Sequence, residues 1–242
     1  FNVLFNGEEA LGIGTVILAS EAQDDFLNVL PVELIALDGE DENASAVIPS
    51  FIRAEEKAVK AIQKHSMNFN GKQKNDQINK AYLLLGKARY YDRRFFPALE
   101  AFNFLLGLSS EADVFYEGKL WREKTNIRLR NDELVISNLK PIARIMPKKK
   151  MLYAEVNATL AQAFLNIRQA DSALKYIKIA AAAERKRTLQ TRYRFIEAQL
   201  FEKLNQKDSA QFAFSSIVDL KRKVPRLYWM HAKLNALRIQ SE

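Results

Sequence analysis

The chain of 242 residues has no cysteine. That excludes disulfides, thiolate metal sites and a cysteine nucleophile, and it is compatible with export. Proline (6) and glycine (8) are scarce. With few breakers and much alanine, leucine, lysine and glutamate, helix is favoured over sheet. The two histidines, His65 and His231, lie far apart without a ligand partner at helical spacing, so solvated or packed imidazoles are expected. No run approaches the roughly eighteen uninterrupted apolar residues of a membrane-spanning helix. Phosphate-binding glycine loops, zincin helices and nucleophile elbows are missing too. Acidic pairs such as Glu55-Glu56 read as solvated helix surface. No catalytic residue, metal ligand or cofactor is therefore expected, and the chain reads as a non-enzyme.

What is present is a 48 % hydrophobic chain, enough for a full core, with a formal net charge of +8. Such a balance fits nucleic acid, an acidic partner or an anionic lipid surface. It also fits a helical protein with Lys and Arg near helix C-termini, where they favour the dipole. There is no compact Lys/Arg stripe interleaved with aromatics, so nucleic acid is not expected as a partner.

The most informative stretch runs from Lys80 to Leu105. It predicts two amphipathic helices joined by a tight turn, the first marked by Tyr82, Leu85, Gly86 and Arg89, the second by Ala98, Phe102 and Leu105. The order of aromatic, Leu and Gly, then Ala and Phe one helix later, resembles the tetratricopeptide (TPR) pattern. Gly86 and Ala98 are small so that two helix backbones can approach closely. Ala98 recurs as Val135, Ala173 and Ala210, at intervals of 37, 38 and 37 residues. Phe102 recurs as Leu139, Ile177 and Phe214, and Gly86 as Ala161 and Ala198. In the second repeat Glu123 takes the small-residue position, so that pair is expected to sit less tightly, and Glu123→Ala to be neutral or stabilising.

The expected fold is all-α, an α-solenoid of about four TPR-like helix pairs with N-terminal capping helices. Its segments are an N-terminal helical segment (1–37), an acidic loop (38–48), a linking helix (49–66) and repeats over 79–242. The repeats divide as 79–112, 113–150, 151–187, 188–224 and a partial 225–242. Residues 1–31 are too apolar for a free tether and are expected to pack as a cap on the linking helix and first repeat, or on a partner. Asp24 to Pro31 is expected as a short helical turn. Tyr228, Trp229, Ala232, Leu234 and Leu237 give the partial repeat an apolar face, so more chain is expected to follow. As the sequence starts at Phe1, without Met, it is expected to be a trimmed piece of something longer.

First helices of such pairs line a concave groove. In this register Lys87, Tyr90, Tyr91, Gln162, Asn166, Phe195, Gln199 and Lys203 are candidate partner-binding residues. The groove would hold an extended peptide or a partner helix, or be filled by adjoining chain of the same protein. Asp171-Ser172-Ala173 and Asp208-Ser209-Ala210 each sit where a second helix begins. The aspartates suit helix capping. The tripeptides also resemble the O-glycosylation sequon of exported Bacteroidota proteins, making Ser172 and Ser209 candidate glycan sites.

Three further blocks, Phe1-Asn-Val-Leu-Phe-Asn-Gly-Glu-Glu-Ala-Leu11, Asp25-Phe-Leu-Asn-Val-Leu-Pro31 and Lys57 to Ser66, followed by the repeat array, resemble the N-terminal region of the PorW/SprE family. These are TPR-containing lipoproteins of the type IX secretion and gliding-motility machinery of Bacteroidota. The resemblance implies a periplasmic adaptor anchored to the outer membrane by a lipidated cysteine upstream of Phe1. It implies protein partners in the secretion translocon and in the ring and motor complex, and no catalytic residues. A peptide-binding TPR chaperone for exported proteins is the alternative, and a basic nucleic-acid-associated helical protein a third.

Overall fold

The structure is a computed structural model that describes residues 2–34, 48–69, 72–108, 112–148 and 152–241. It is built of helices, as expected. The described strands are a two-residue antiparallel ladder, β1 (Asn68–Phe69) and β2 (Lys72–Gln73), with Asn68 opposite Gln73. The chain divides into two compact units, residues 1–22 with 35–131, and residues 23–34 with 132–242. The division falls inside the second predicted repeat, so its two helices belong to different units.

The first unit contains α1 (Asn2–Glu21), α2 (Pro49–His65), α3 (Gln77–Tyr91), α4 (Phe95–Leu108) and α5 (Ala112–Arg128). Pro49 opens α2, where a missing N–H costs nothing. Phe51, Ala54, Ala58 and Ala61, three or four residues apart, form its buried face. Helix α1 packs on α2 and α3, with Leu4 and Leu11 partly buried beside a stripe of small residues. Its buried stripe is Gly7, Ala10 and Gly14. A Cβ at Gly7 would come within 2.7 Å of Leu84 Cδ2, and one at Gly14 within 2.4 Å of the Phe51 ring. Phe5, Ile13 and Val16 of α1 are exposed. With 20 residues and a mean hydropathy of 1.2, α1 is also long and apolar enough to cross a membrane by length and composition. The absence of one long uninterrupted apolar run did not disclose this, because Glu8 and Glu9 break the run.

The second unit contains α6 (Asp132–Ile145), α7 (Leu152–Asn166), α8 (Ala170–Ala183), α9 (Arg187–Lys203), α10 (Lys207–Asp219), a 3-10 turn (Lys221–Lys223) and α11 (Arg226–Ser241). Residues 23–34 belong to it as well. They are not the helical segment expected from the sequence. The helix ends at Glu21, and one turn over 25–28 is followed by irregular chain. In that turn the Leu27 N–H and the Asn28 amide donate to the Asp25 carboxylate, an arrangement that competes with helix. The acidic stretch 38–47 lies outside the described residues.

The repeat positions read from the sequence are core positions. Ala98, Val135, Ala173 and Ala210 are fully buried, as are Phe102, Leu139, Ile177 and Phe214. A Cβ on Gly86 would lie 2.3 Å from the Phe102 ring, which is why this crossing needs glycine. The tight turns share a second period. Arg93, Arg130, Arg168 and Asn205 all have φ near +60°. The next N–H closes back on the carbonyl five residues earlier: Arg94 on Arg89, Asn131 on Asn126, Gln169 on Phe164 and Gln206 on Phe201, each at 2.9 Å. This is the Schellman ending of a helix, made here without glycine.

Glu123 is more than a bulky residue at the small-residue position of the second repeat. It is fully buried and accepts from Arg122 at 2.7 and 2.8 Å and from the buried Asn126 amide at 2.9 Å. The carboxylate satisfies donors of its own helix, α5.

Candidate functional site

The second unit holds residues 24–32 of its own chain in a groove lined by α7, α9 and α11. Two glutamines set the register. Gln162 and Gln199 occupy the same repeat position, one residue after the small crossing residues Ala161 and Ala198. Gln162 Oε1 accepts from the Val32 N–H at 2.7 Å, and Gln199 Oε1 from the Leu30 N–H at 2.9 Å. Consecutive repeats thus bind main-chain groups two residues apart, the step of an extended chain. Gln199 Nε2 also donates to Asn28 O at 2.6 Å and, more loosely at 3.4 Å, to Phe26 O. The segment runs against the repeat order, from α11 back toward α7.

Arg192 and Phe195 lie seven and four residues before Gln199, on the same helical face. Arg192 is only 2 % exposed. Its Nε donates to Pro31 O at 2.9 Å, and Nη1 reaches both Asp24 carboxylate oxygens at 2.8 Å and the Tyr228 hydroxyl at 2.7 Å. The Tyr228 hydroxyl donates in turn to Asp24 Oδ2 at 2.7 Å. Burial is the main reason the Tyr228 phenol is pushed well above its usual range, so it stays a donor. Arg192 Nη2 finds no acceptor among the described residues.

Phe26 is the apolar anchor. It stacks on His231 at 4.1 Å between centroids and meets Phe195 and Tyr228 edge-on at 5.2 Å. Leu30 and Val32 are buried, whereas Leu27 is 94 % exposed.

The eight candidate groove residues separate. Gln162, Phe195 and Gln199 touch the segment or its anchor. Asn166 instead bonds Gln162 and Asp132, orienting the first glutamine, and Lys203 is exposed at the end of α9. Lys87, Tyr90 and Tyr91 lie in the first unit. Lys87 pairs with Glu117 and covers the Trp121 ring, Tyr90 is a core residue whose hydroxyl accepts from Arg128 at 2.9 Å, and Tyr91 stacks on Phe51. Sequence reasoning missed Arg192, Tyr228 and His231 in this role. The one available signal was the spacing of Arg192 from Phe195 and Gln199.

Ser172 and Ser209 are half-buried in the first turns of α8 and α10. The capping positions are Gln169 and Gln206, and neither makes a side-chain cap bond. Asp171 and Asp208 thus sit inside the helices and favour them through the dipole alone. Ser209 also borders a cavity of about 430 Å³ with Lys178, Arg194, Glu197, Phe201 and Phe212. Burial raises the Glu197 carboxyl despite Lys178 and Arg194. Among the described residues no cluster of three or more His, Asp or Glu is placed to hold a metal ion.

No protein-family profile and no curated protein sequence matches the chain. In structure it is similar to a thermophilic TPR protein of Thermus thermophilus, with a TM-score of 0.53 and 16 % identity over 80 % of this chain and 92 % of that one. The likeness is one of fold, an α-solenoid of TPR-like helix pairs.

Proposed function

We propose that the chain is a non-enzymatic scaffold that works by holding extended protein segments. One observation carries this reading. Side chains from successive repeats bond the main chain of residues 26–32 in register, while Arg192 and an aromatic cage fix Asp24 and Phe26. The resemblance to the PorW/SprE family supports a finer reading. In it the scaffold is a periplasmic adaptor, anchored to the outer membrane by a lipid upstream of Phe1. It links the type IX translocon to ring and motor components, for protein secretion and gliding motility.

A peptide-binding chaperone for exported proteins is the second reading. It is favoured by bonds that go to main-chain atoms, which every unfolded segment carries. Photo-crosslinkers placed at exposed positions of the protein in its native cell separate the two. Adducts with a fixed set of secretion components support the adaptor, and adducts with many different cargo proteins support the chaperone. A cell with no protein adducts at all would overturn the scaffold reading.

A further inference from the structure

We infer that the groove of the second unit is a recognition site for peptides in trans, and that residues 24–32 are its built-in competitor. This rests on the reading of the chain as a holder of protein segments. The ligand is a peptide with a carboxylate at its first position, an aromatic ring at the third, a turn over the second to fifth, and aliphatic side chains at the seventh and ninth.

The division of labour within the site supports this. The bonds from Gln162, Gln199 and Arg192 to the N–H groups of Leu30 and Val32 and the carbonyls of Asn28 and Pro31 involve main-chain atoms only. They fix the path and register of any peptide, whatever its sequence. Identity is read at a few points. The first is the Asp24 carboxylate, received by Arg192 and Tyr228. A lysine or arginine there would face the Arg192 guanidinium. The second is the Phe26 ring in its cage of Phe195, Tyr228 and His231. Leu30 and Val32 fill the remaining buried positions, and Leu27 between the anchors points to solvent.

The occupant has no structure to keep once it leaves. Beyond the turn over 25–28 it makes no helix or strand of its own, so the groove imposes its conformation. Its two ends continue into residues of the first unit, which makes it an internal tether. A tethered ligand competes at an effective concentration of roughly millimolar. A partner therefore enters when its own affinity is higher, or when the tethered segment is drawn away.

The test uses the full chain and a synthetic nonapeptide with the sequence of residues 24–32, end-blocked and fluorescently labelled. The receptor carries Asp24→Asn with Phe26→Ala, which weakens the tethered copy and leaves the groove intact. One peptide should bind per chain, at least tenfold more tightly than to the unaltered chain. Adding Arg192→Ala or Gln199→Ala to the receptor should weaken binding tenfold or more. A peptide with Asn at its first position and Ala at its third should not compete. If the weakened receptor melts cooperatively yet binds no better than the unaltered chain, the inference is wrong.

Should that receptor fail to fold, the unaltered groove can be read directly. The chain has no cysteine, so Leu27→Cys gives a single exposed site for a nitroxide. Millimolar nonapeptide should raise the label's mobility saturably and the control peptide should not. No change with either peptide would also overturn the inference. Failure here would leave the crosslinking test untouched, because that test detects partners wherever they dock.

Discussion

Replacing Arg192 by Met keeps most of the side-chain volume and removes the guanidinium. The Asp24 carboxylate, 11 % exposed, then loses its charged partner and keeps one donor, the Tyr228 hydroxyl. Pro31 O loses its donor as well. Breaking a buried ion pair from one side costs about 3–5 kcal/mol. This pair has an escape, since residues 23–34 can leave the groove and let Asp24 be hydrated. The measured loss is then capped at the docking free energy of the segment.

Two readouts follow from that cap. In native-state amide exchange, the Leu30 and Val32 N–H groups should lose protection by more than about a hundredfold for a loss near 3 kcal/mol. Ala198 in the core of α9 should change far less. In urea unfolding, Arg192→Met with Asp24→Leu should be less destabilised than the sum of the two single changes, by about 1–3 kcal/mol. Unchanged exchange at Leu30 and Val32, or strict additivity, would show that the pair does not hold the segment.

Glu123→Ala should destabilise by about 1–3 kcal/mol in chemical denaturation, because it strips an acceptor from the buried Asn126 amide; a neutral result would show that this bond contributes nothing. Gly86→Ala should cost about 1–3 kcal/mol by driving a methyl into Phe102, and an unchanged melting temperature would refute the close approach. Arg168→Gly should stabilise by about 1 kcal/mol by relieving a left-handed φ of 60°, so a loss in the same melt would show that the arginine side chain matters more than its backbone. Burial tends to raise the Glu55 carboxyl, but hydrogen bonds from Arg94 and Arg89 outweigh it and hold the group below its ordinary 4.5. Its stabilising share is therefore full above about pH 4.5 and fades as pH falls through the lowered value; Glu55→Gln should flatten stability against pH in that acid range.

The repeat array was legible because each helix crossing needs a small residue, and that need recurs every 37 or 38 residues. Gln162 and Gln199 were legible for the same reason, being fixed one residue beyond the crossing. The turns were not. Arginine at φ near +60° leaves no trace in composition, where glycine would have marked the same geometry. Helix α1 was legible as a helix but its packing face was not, because the buried stripe is Gly7, Ala10 and Gly14, which hydrophobic patterning does not mark. Arg192 was invisible because a charged residue on an amphipathic helix reads as solvated. Its burial comes from residues 24–32, far away in sequence and without any periodic signal. Glu123 shows the converse error, in which size was read correctly but its hydrogen-bonding neighbours were not.

The distance in sequence between the segment and its groove has a cost in time. The hydrogen bonds that seat residues 24–32 span 130 to 204 positions along the chain. Phe195, Tyr228 and His231 must all be present before Phe26 has its cage. At roughly 5–20 residues per second of synthesis, the segment waits on the order of 10–40 s for its site to exist. During that interval Phe26, Leu30 and Val32 have no apolar partner in the finished structure's arrangement. Closing so long a loop is also slow compared with forming the neighbouring helix pairs, which are local. The repeats should therefore be complete before the segment docks, leaving a late intermediate with an open groove. Whatever first meets that groove, another chain or its own, has an early chance to occupy it.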